Sequence, residues 1–211
     1  MPFEYKLISQ DRYDDVIKHL RQFFFADEPL NKAAGLCQKG LGCGDLEKQC
    51  FATMEDNLSL MAVDENNQVS RNFLWVLVNN KMLLSKIAGV ILNGILCPGD
   101  VEDALDKLEQ GIDEGYKNIF RLLYSENLKV NLFERFNVVK IFDLRILSVD
   151  GKFRGKGIAK TLVQNSEELA RQLGYKVRII IINKNNNNAN NIYIYIDAKS
   201  GCNWNLLSKN N

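Results

Sequence analysis

The chain is poor in the residues from which metal and redox sites are made. Histidine occurs once, at His19, and the five cysteines show no C-x-x-C spacing around Cys37, Cys43 and Cys50. A structural zinc site draws four ligands from just these residue types, so no metal is expected. An odd number of thiols without a framework spacing points to reduced cysteines in a cytoplasmic protein. Long apolar runs are missing too. The longest uncharged apolar-rich stretch, Ile87 to Pro98, falls short of the roughly 20 residues that span a bilayer. No secretory signal precedes the polar N-terminus. Charge of one sign is absent: 27 basic against 26 acidic residues leave +1, so neither nucleic acid nor a membrane surface is an expected partner. The Walker spacing G-x-x-x-x-G-K-S/T and the dinucleotide spacing G-x-G-x-x-G are likewise lacking.

What is present gathers around residues 140–173. Ile141, Phe142, Leu144, Ile146, Leu147 and Val149 are too densely apolar for a half-exposed strand and read as a central one. Asp150-Gly151 breaks the pattern as a turn does. From Arg154 the period becomes helical, with Ile158, Leu162, Leu169 and Leu173 on one stripe. Between them lies RGKGIA, residues 154–159. Gly155 and Gly157 let a ligand approach the backbone, and the first helical N–H groups lack intrahelical acceptors. With Arg154 and Lys156 beside them, they make a socket for a phosphate or pyrophosphate. A glycine pair before a helix is also an ordinary turn, and both readings stand on this feature alone.

At 211 residues a single domain with a real core is expected. Residues 3–9 read as an outer strand, and Asp11 as the cap of a helix carrying Tyr13, Val16, Ile17, Leu20, Phe23 and Phe24. His19 falls off that stripe, as a solvated residue. Pro29 disfavours helical geometry at Glu28, so this helix is predicted to end near Asp27-Glu28, beside three phenylalanines. Physics alone makes Glu28 a surface acid. Further helices are predicted over 45–56, 101–110 and 114–123, and strands over 58–63 and 87–95. Gly89 and Gly94 mark a bulge or a close approach in the last of these. Leu122, Leu123, Leu132, Phe133 and Phe136 read as core, and Asp100, Glu102, Asp103 and Asp106 as a solvated first turn.

The spacing Arg154-x-x-Gly157-x-Ala159 after Leu147-Ser148-Val149 resembles the acetyl-CoA signature of the GCN5-related N-acetyltransferase superfamily. FFFADEPLN at 23–31, CGDLEKQC at 43–50, IAGVILNG at 87–94 and FDLRILSVDGKFRGKGIA at 142–159 are similar, in the same order, to segments of the insect arylalkylamine N-acetyltransferases. The resemblance covers about residues 3–68 and 87–176. It implies an α/β fold, a mixed central sheet flanked by helices, with acetyl-CoA as co-substrate. It implies that Leu147, Ser148 and Val149 hold the pantetheine arm and that Arg154, Gly155, Lys156, Gly157, Ile158 and Ala159 hold the pyrophosphate. Glu28 would be the general base, and the partner a small arylalkylamine of the dopamine, tyramine, octopamine or serotonin class. The protein would be a cytoplasmic monomer.

Two stretches depart from the resemblance. Residues 69–86, an 18-residue insert, interrupt AVDENNQ-IAGVILNG, and Phe73 to Val78 within it reads as a sticky extended segment. After Val177 the chain becomes rich in Ile, Asn, Lys and Tyr. Val69-Ser70 and Val177-Arg178 can be encoded as GTAAGT and GTAAGA, the sequence of a splice donor, so both stretches read as retained introns. Lineage-specific insertions are the other reading. A domain over 1–182 followed by a low-complexity tail over 183–211 is expected, Val177 to Ile182 taking the next strand position by propensity. The family's next helix and final hairpin would be missing and the sheet poorly covered. The rival functions are then a catalytically dead truncated isoform, or acetyl transfer to another amine such as a polyamine. Sequencing the transcript across both junctions is expected to yield a spliced message without codons 69–86; a mature message that keeps them refutes the intron reading.

Overall fold

The computed structural model describes residues 3–64, 85–110, 113–186, 189–197 and 205–209. Seven strands form one sheet in chain order: β1 (Phe3–Leu7), β2 (Leu60–Asp64), β3 (Lys86–Leu96), β4 (Ile141–Val149), β5 (Arg178–Asn186), β6 (Ala189–Asp197) and β7 (Asn205–Lys209), the first four marked by apolar, β-branched density. Neighbours pair antiparallel except β4 and β5. A parallel pair needs a crossover, and the helix over Ile158–Gln172 supplies it. This is the mixed, helix-flanked sheet expected from sequence.

In order, the helices are α1 (Tyr13–Phe23), α2 (Pro29–Ala33), α3 (Gly44–Glu55), α4 (Asp100–Leu108), α5 (Glu114–Leu128), α6 (Leu132–Phe136) and α7 (Ile158–Gln172). Helices α1, α3 and α5 bury Val16, Leu20, Cys50, Met54 and Phe120 against one face of the sheet, on Met61, Val63, Val90 and Leu92. On the other face α7 buries Ile158, Leu162 and Ala170 against Ala62, Ala88, Ile91, Phe142 and Leu144. Each such large side chain contributes about 1.5–3 kcal/mol when removed from water.

β4 carries an extra residue. Leu92 lies opposite Ile146, but the next residue of β3, Asn93, lies opposite Leu144, so Arg145 bulges out of the ladder. Side chains in a strand alternate, and one inserted residue reverses every face beyond it. Phe142 and Leu144 pack with α7, yet so do Leu147 and Val149, while Ile146 joins the α1–α3 side. The Arg145 guanidinium occupies the space beside Gly94, where a Cβ would stand 2.4 Å from its Cζ.

Several boundaries differ from the sequence reading. Helix α1 begins after a short helical turn (Gln10–Arg12), and its N-cap is Arg12 rather than Asp11. Arg12 is buried, donating to Asp15 and to the Ser85 carbonyl. Helix α5 runs on to Leu128, with Gly115 inside its first turn. Residue 183, where a tail was expected to begin, lies in the middle of β5, and the Phe142↔Arg178 register puts that strand next to β4. β6 and β7 continue the ladder antiparallel, so a hairpin stands where none was expected; backbone pairing asks nothing of side-chain identity. The insert and its Phe73–Val78 segment lie outside the described residues, apart from Ser85 and Lys86.

Gly94→Ala is expected to displace the Arg145 guanidinium and its hydrogen bonds, lowering unfolding free energy by about 1–3 kcal/mol. Gly151→Ala, with nothing within 4 Å of the added carbon, should stay within about 0.5 kcal/mol. Urea denaturation midpoints at constant m-value compare the two.

Candidate active site

Helix α1 does not run to the acid. It ends at Phe23, and Glu28 instead caps the entry to α2, with extended backbone and Oε2 accepting from Asn31 N–H at 2.8 Å. Pro29 explains the correction: it sits at the first helical position, where its missing N–H is no loss, and keeps Glu28 extended. Asn31 is buried and donates Nδ2 to the Phe25 carbonyl, which holds the Phe25–Asn31 turn as a unit. A carboxylate at a helix entry also meets the favourable end of the local amide dipoles.

The second component is β4 and the loop after it. Parallel pairing with β5 spans only Phe142↔Arg178, Asp143↔Ile179 and Leu144↔Ile180. Beyond it the strands part, and the β5-facing backbone edge of Ile146 to Val149 has no ladder partner among the described residues. Asp150 then turns the chain, accepting from Lys152 N–H and from Lys86 Nζ at 2.8 Å. Although burial opposes it, these donors hold the Asp150 carboxyl below its ordinary range. Phe153 anchors the loop in the core. Gly155 and Gly157 both take positive φ, 76° and 79°, which favours glycine. Gly157 caps α7 without a side-chain bond, so the Ile158, Ala159 and Lys160 amides begin the helix without an intrahelical acceptor.

A cavity of about 770 Å³ joins these parts. Glu28, Leu147, Ser148, Val149 and Arg154 all line it. Gly155, Lys156, Gly157, Ile158 and Ala159 lie past its lining: Lys156 Nζ stands 5.1 Å from the Phe153 ring, and the Ile158 side chain is buried beneath β3. Only main-chain groups of Ile158 are thus available to a ligand. Leu123, read as core, lines the cavity, and Asp100 and Asp103, exposed in the first helical turn as expected, border it as well. With Asp27, Glu28, Asp100, Asp103 and Asp143 against Lys107, Arg145 and Arg154, the lining is acidic on balance, which favours a cationic visitor.

His19 corrects the sequence reading most sharply. It is 5% exposed, and Nε2 lies 3.1 Å from the buried Ser148 Oγ, with the tilted Phe23 ring centred 5.0 Å away. Burial lowers its pKa from 6.5 to about 4, against the pull of Asp150. Neutral imidazole therefore fastens α1 to the cavity-lining part of β4. Spacing held the signal: His19 is three residues after Val16 and four before Phe23, within one helical face. Among the described residues no cluster of His, Cys, Asp and Glu suits a metal ion, and no helix is long and apolar enough to cross a membrane.

The acetyltransferase (GNAT) family matches residues 131–195. Arylalkylamine N-acetyltransferase 2 from Aedes aegypti is 47% identical, with a TM-score of 0.75 over 86% of this chain and 76% of that one. A mosquito arylalkylamine N-acetyltransferase like 5b (18% identity, TM-score 0.70, 86% and 76% coverage) shares the fold. So does a polyamine N-acetyltransferase of Drosophila melanogaster (13%, 0.70, 87% and 77%).

The buried imidazole makes stability depend on pH with a definite sign. Its folded pKa lies below the unfolded value, so the unfolded chain binds more protons between them, and stability falls as pH drops from 6.5 towards 4. His19→Gln, which keeps polar contacts but cannot titrate there, should remove up to about 3 kcal/mol of that loss. Thermal melts of both proteins from neutral to acid pH read the difference, and superimposable pH profiles would exclude His19 as its source.

Proposed function

The chain belongs to the GNAT family of acetyltransferases, in the company of the mosquito arylalkylamine N-acetyltransferases, and on that premise we propose that it moves the acetyl group of acetyl-CoA to the primary amine of an arylalkylamine. The observation that carries this reading is the shared cavity: the Glu28 carboxylate and the open β4 edge line one space.

GNAT acetyltransferases use acetyl-CoA, and the residues here fit it. The β5-facing edge from Leu147 to Val149, which has no ladder partner among the described residues, can bond an extended pantetheine arm as an added strand would. Gly155 and Gly157, bent by positive φ, leave room beside the amides that open α7, where Arg154 adds charge for a diphosphate. A β4 amide aimed at the thioester carbonyl would stabilise the oxyanion that develops on attack.

Glu28 supplies the proton chemistry. An arylalkylamine enters as an ammonium ion, which the acidic lining attracts but which has no lone pair to attack with. Glu28 accepts one proton, directly or through one water, and the free amine attacks the thioester carbonyl. As the C–N bond forms and the C–S bond breaks, the second proton shed by the nitrogen goes to the departing CoA thiolate, which leaves as the free thiol. The Asn31 N–H holds one carboxylate oxygen in place. Phe23, Phe24, Leu46 and Phe120 give the aryl ring an apolar wall.

Release of free thiol from acetyl-CoA in the presence of tyramine tests the reaction, and no release with any arylalkylamine would refute it. Glu28→Gln should lower kcat/KM by about 10²–10⁴-fold; unchanged turnover would remove Glu28 from its role.

A further inference from the structure

One part of the cavity wall is polar and closely bonded. The Tyr116 hydroxyl donates to Gln49 Oε1 at 3.0 Å, which turns the Gln49 amide so that Nε2 donates to Tyr124 Oη at 3.4 Å. The Tyr124 oxygen is thus an acceptor towards Gln49, and its own hydrogen is directed elsewhere. Beside it stand the bulged Arg145 and its partner Asp143. Arg145 Nε donates to Asp143 Oδ2, Nη1 to Thr53 Oγ1 and Nη2 to the Ile95 carbonyl, each at 3.0 Å. Thr53 in turn donates to the Gln49 carbonyl at 2.9 Å, tying the two groups together. Gln49, Thr53, Tyr124, Asp143 and Arg145 all line the cavity. Tyr124 feels the charge of both Arg145 and Asp143, and burial raises its pKa, so it remains a protonated donor.

We propose that Gln49, Tyr124 and Asp143 form a subsite for a neutral hydroxyl group on the ring of the acceptor amine. This rests on the arylalkylamine reading above and narrows it to hydroxylated rings. The charge balance decides the class. Asp143 is already neutralised by Arg145, whose fork is anchored to protein on three sides, so a second ammonium would gain little from the carboxylate and would meet the guanidinium. A phenolic hydroxyl suits the pair: it donates to Asp143 and accepts from Tyr124. A ring without one leaves these groups facing apolar surface, and a site with unpaired polar groups rejects such an analogue.

Steady-state kinetics with tyramine, phenethylamine and an aliphatic diamine tests the assignment. The wild type should favour tyramine over phenethylamine by about tenfold or more in kcat/KM, chiefly through KM, and should use the diamine least. Tyr124→Phe should draw the tyramine-to-phenethylamine ratio towards one, whereas a merely structural defect lowers both rates and leaves the ratio intact. Gln49→Met is expected to act in the same direction. Equal use of the two arylamines by the wild type, or a ratio that Tyr124→Phe does not move, overturns the hydroxyl subsite while leaving acetyl transfer to arylalkylamines standing. Turnover of the diamine alone overturns both.

Discussion

A single residue inserted into β4 governs how this molecule can act. Without the bulge at Arg145, strict alternation would send Ser148 to the α7 face and Leu147 to the α1 face. The bulge instead brings Ile146 and Ser148 round to join Asp143 and Arg145 on the side where α1, α3 and α5 pack, and there the cavity lies. It also commits Arg145 to three protein acceptors, a placement that only the bare Gly94 allows. The position of Glu28 matters because it lines the same cavity as Leu147 to Val149, where the pairing of β4 with β5 has ended.

The electrostatics follow from that arrangement. Asp143 is raised in pKa by burial and opposed by Arg145, so the pair behaves as a bound dipole. The carboxylates of Asp27, Glu28, Asp100 and Asp103 remain to set the sign of the cavity's field. Attraction of a cation and recognition of a neutral ring substituent then fall to different groups within one space. His19 contributes differently: neutral through the physiological range, it joins helix to strand without adding charge.

Much of this was legible in the chain itself. Apolar density marked β4, period 3.6 marked α7, and the glycines between them marked the loop, because each has a one-dimensional signature. The bulge has none. Gly94 hinted at a close approach, but nothing in the sequence said that the approaching group would be Arg145. Pro29 was informative about Glu28, yet the same residue that ends a helix can begin one, and the second use prevailed. His19 was misplaced by treating the apolar stripe as its strongest members alone. The strands past residue 183 were invisible because their asparagine-rich composition hides a pairing made by the backbone.

The short seam between β4 and β5 has a mechanical side. Three residue pairs of parallel ladder are the backbone connection between an antiparallel group of four strands and another of three. The same parting that opens an edge for a ligand concentrates the mechanical weakness of the sheet along one line. Amide protons in β5 should therefore exchange in step with β6 and β7 rather than with β4, as a separate cooperative unit. A guest laid into the gap as an extra strand would splint that line, so occupancy and the integrity of the C-terminal ladder are thermodynamically linked.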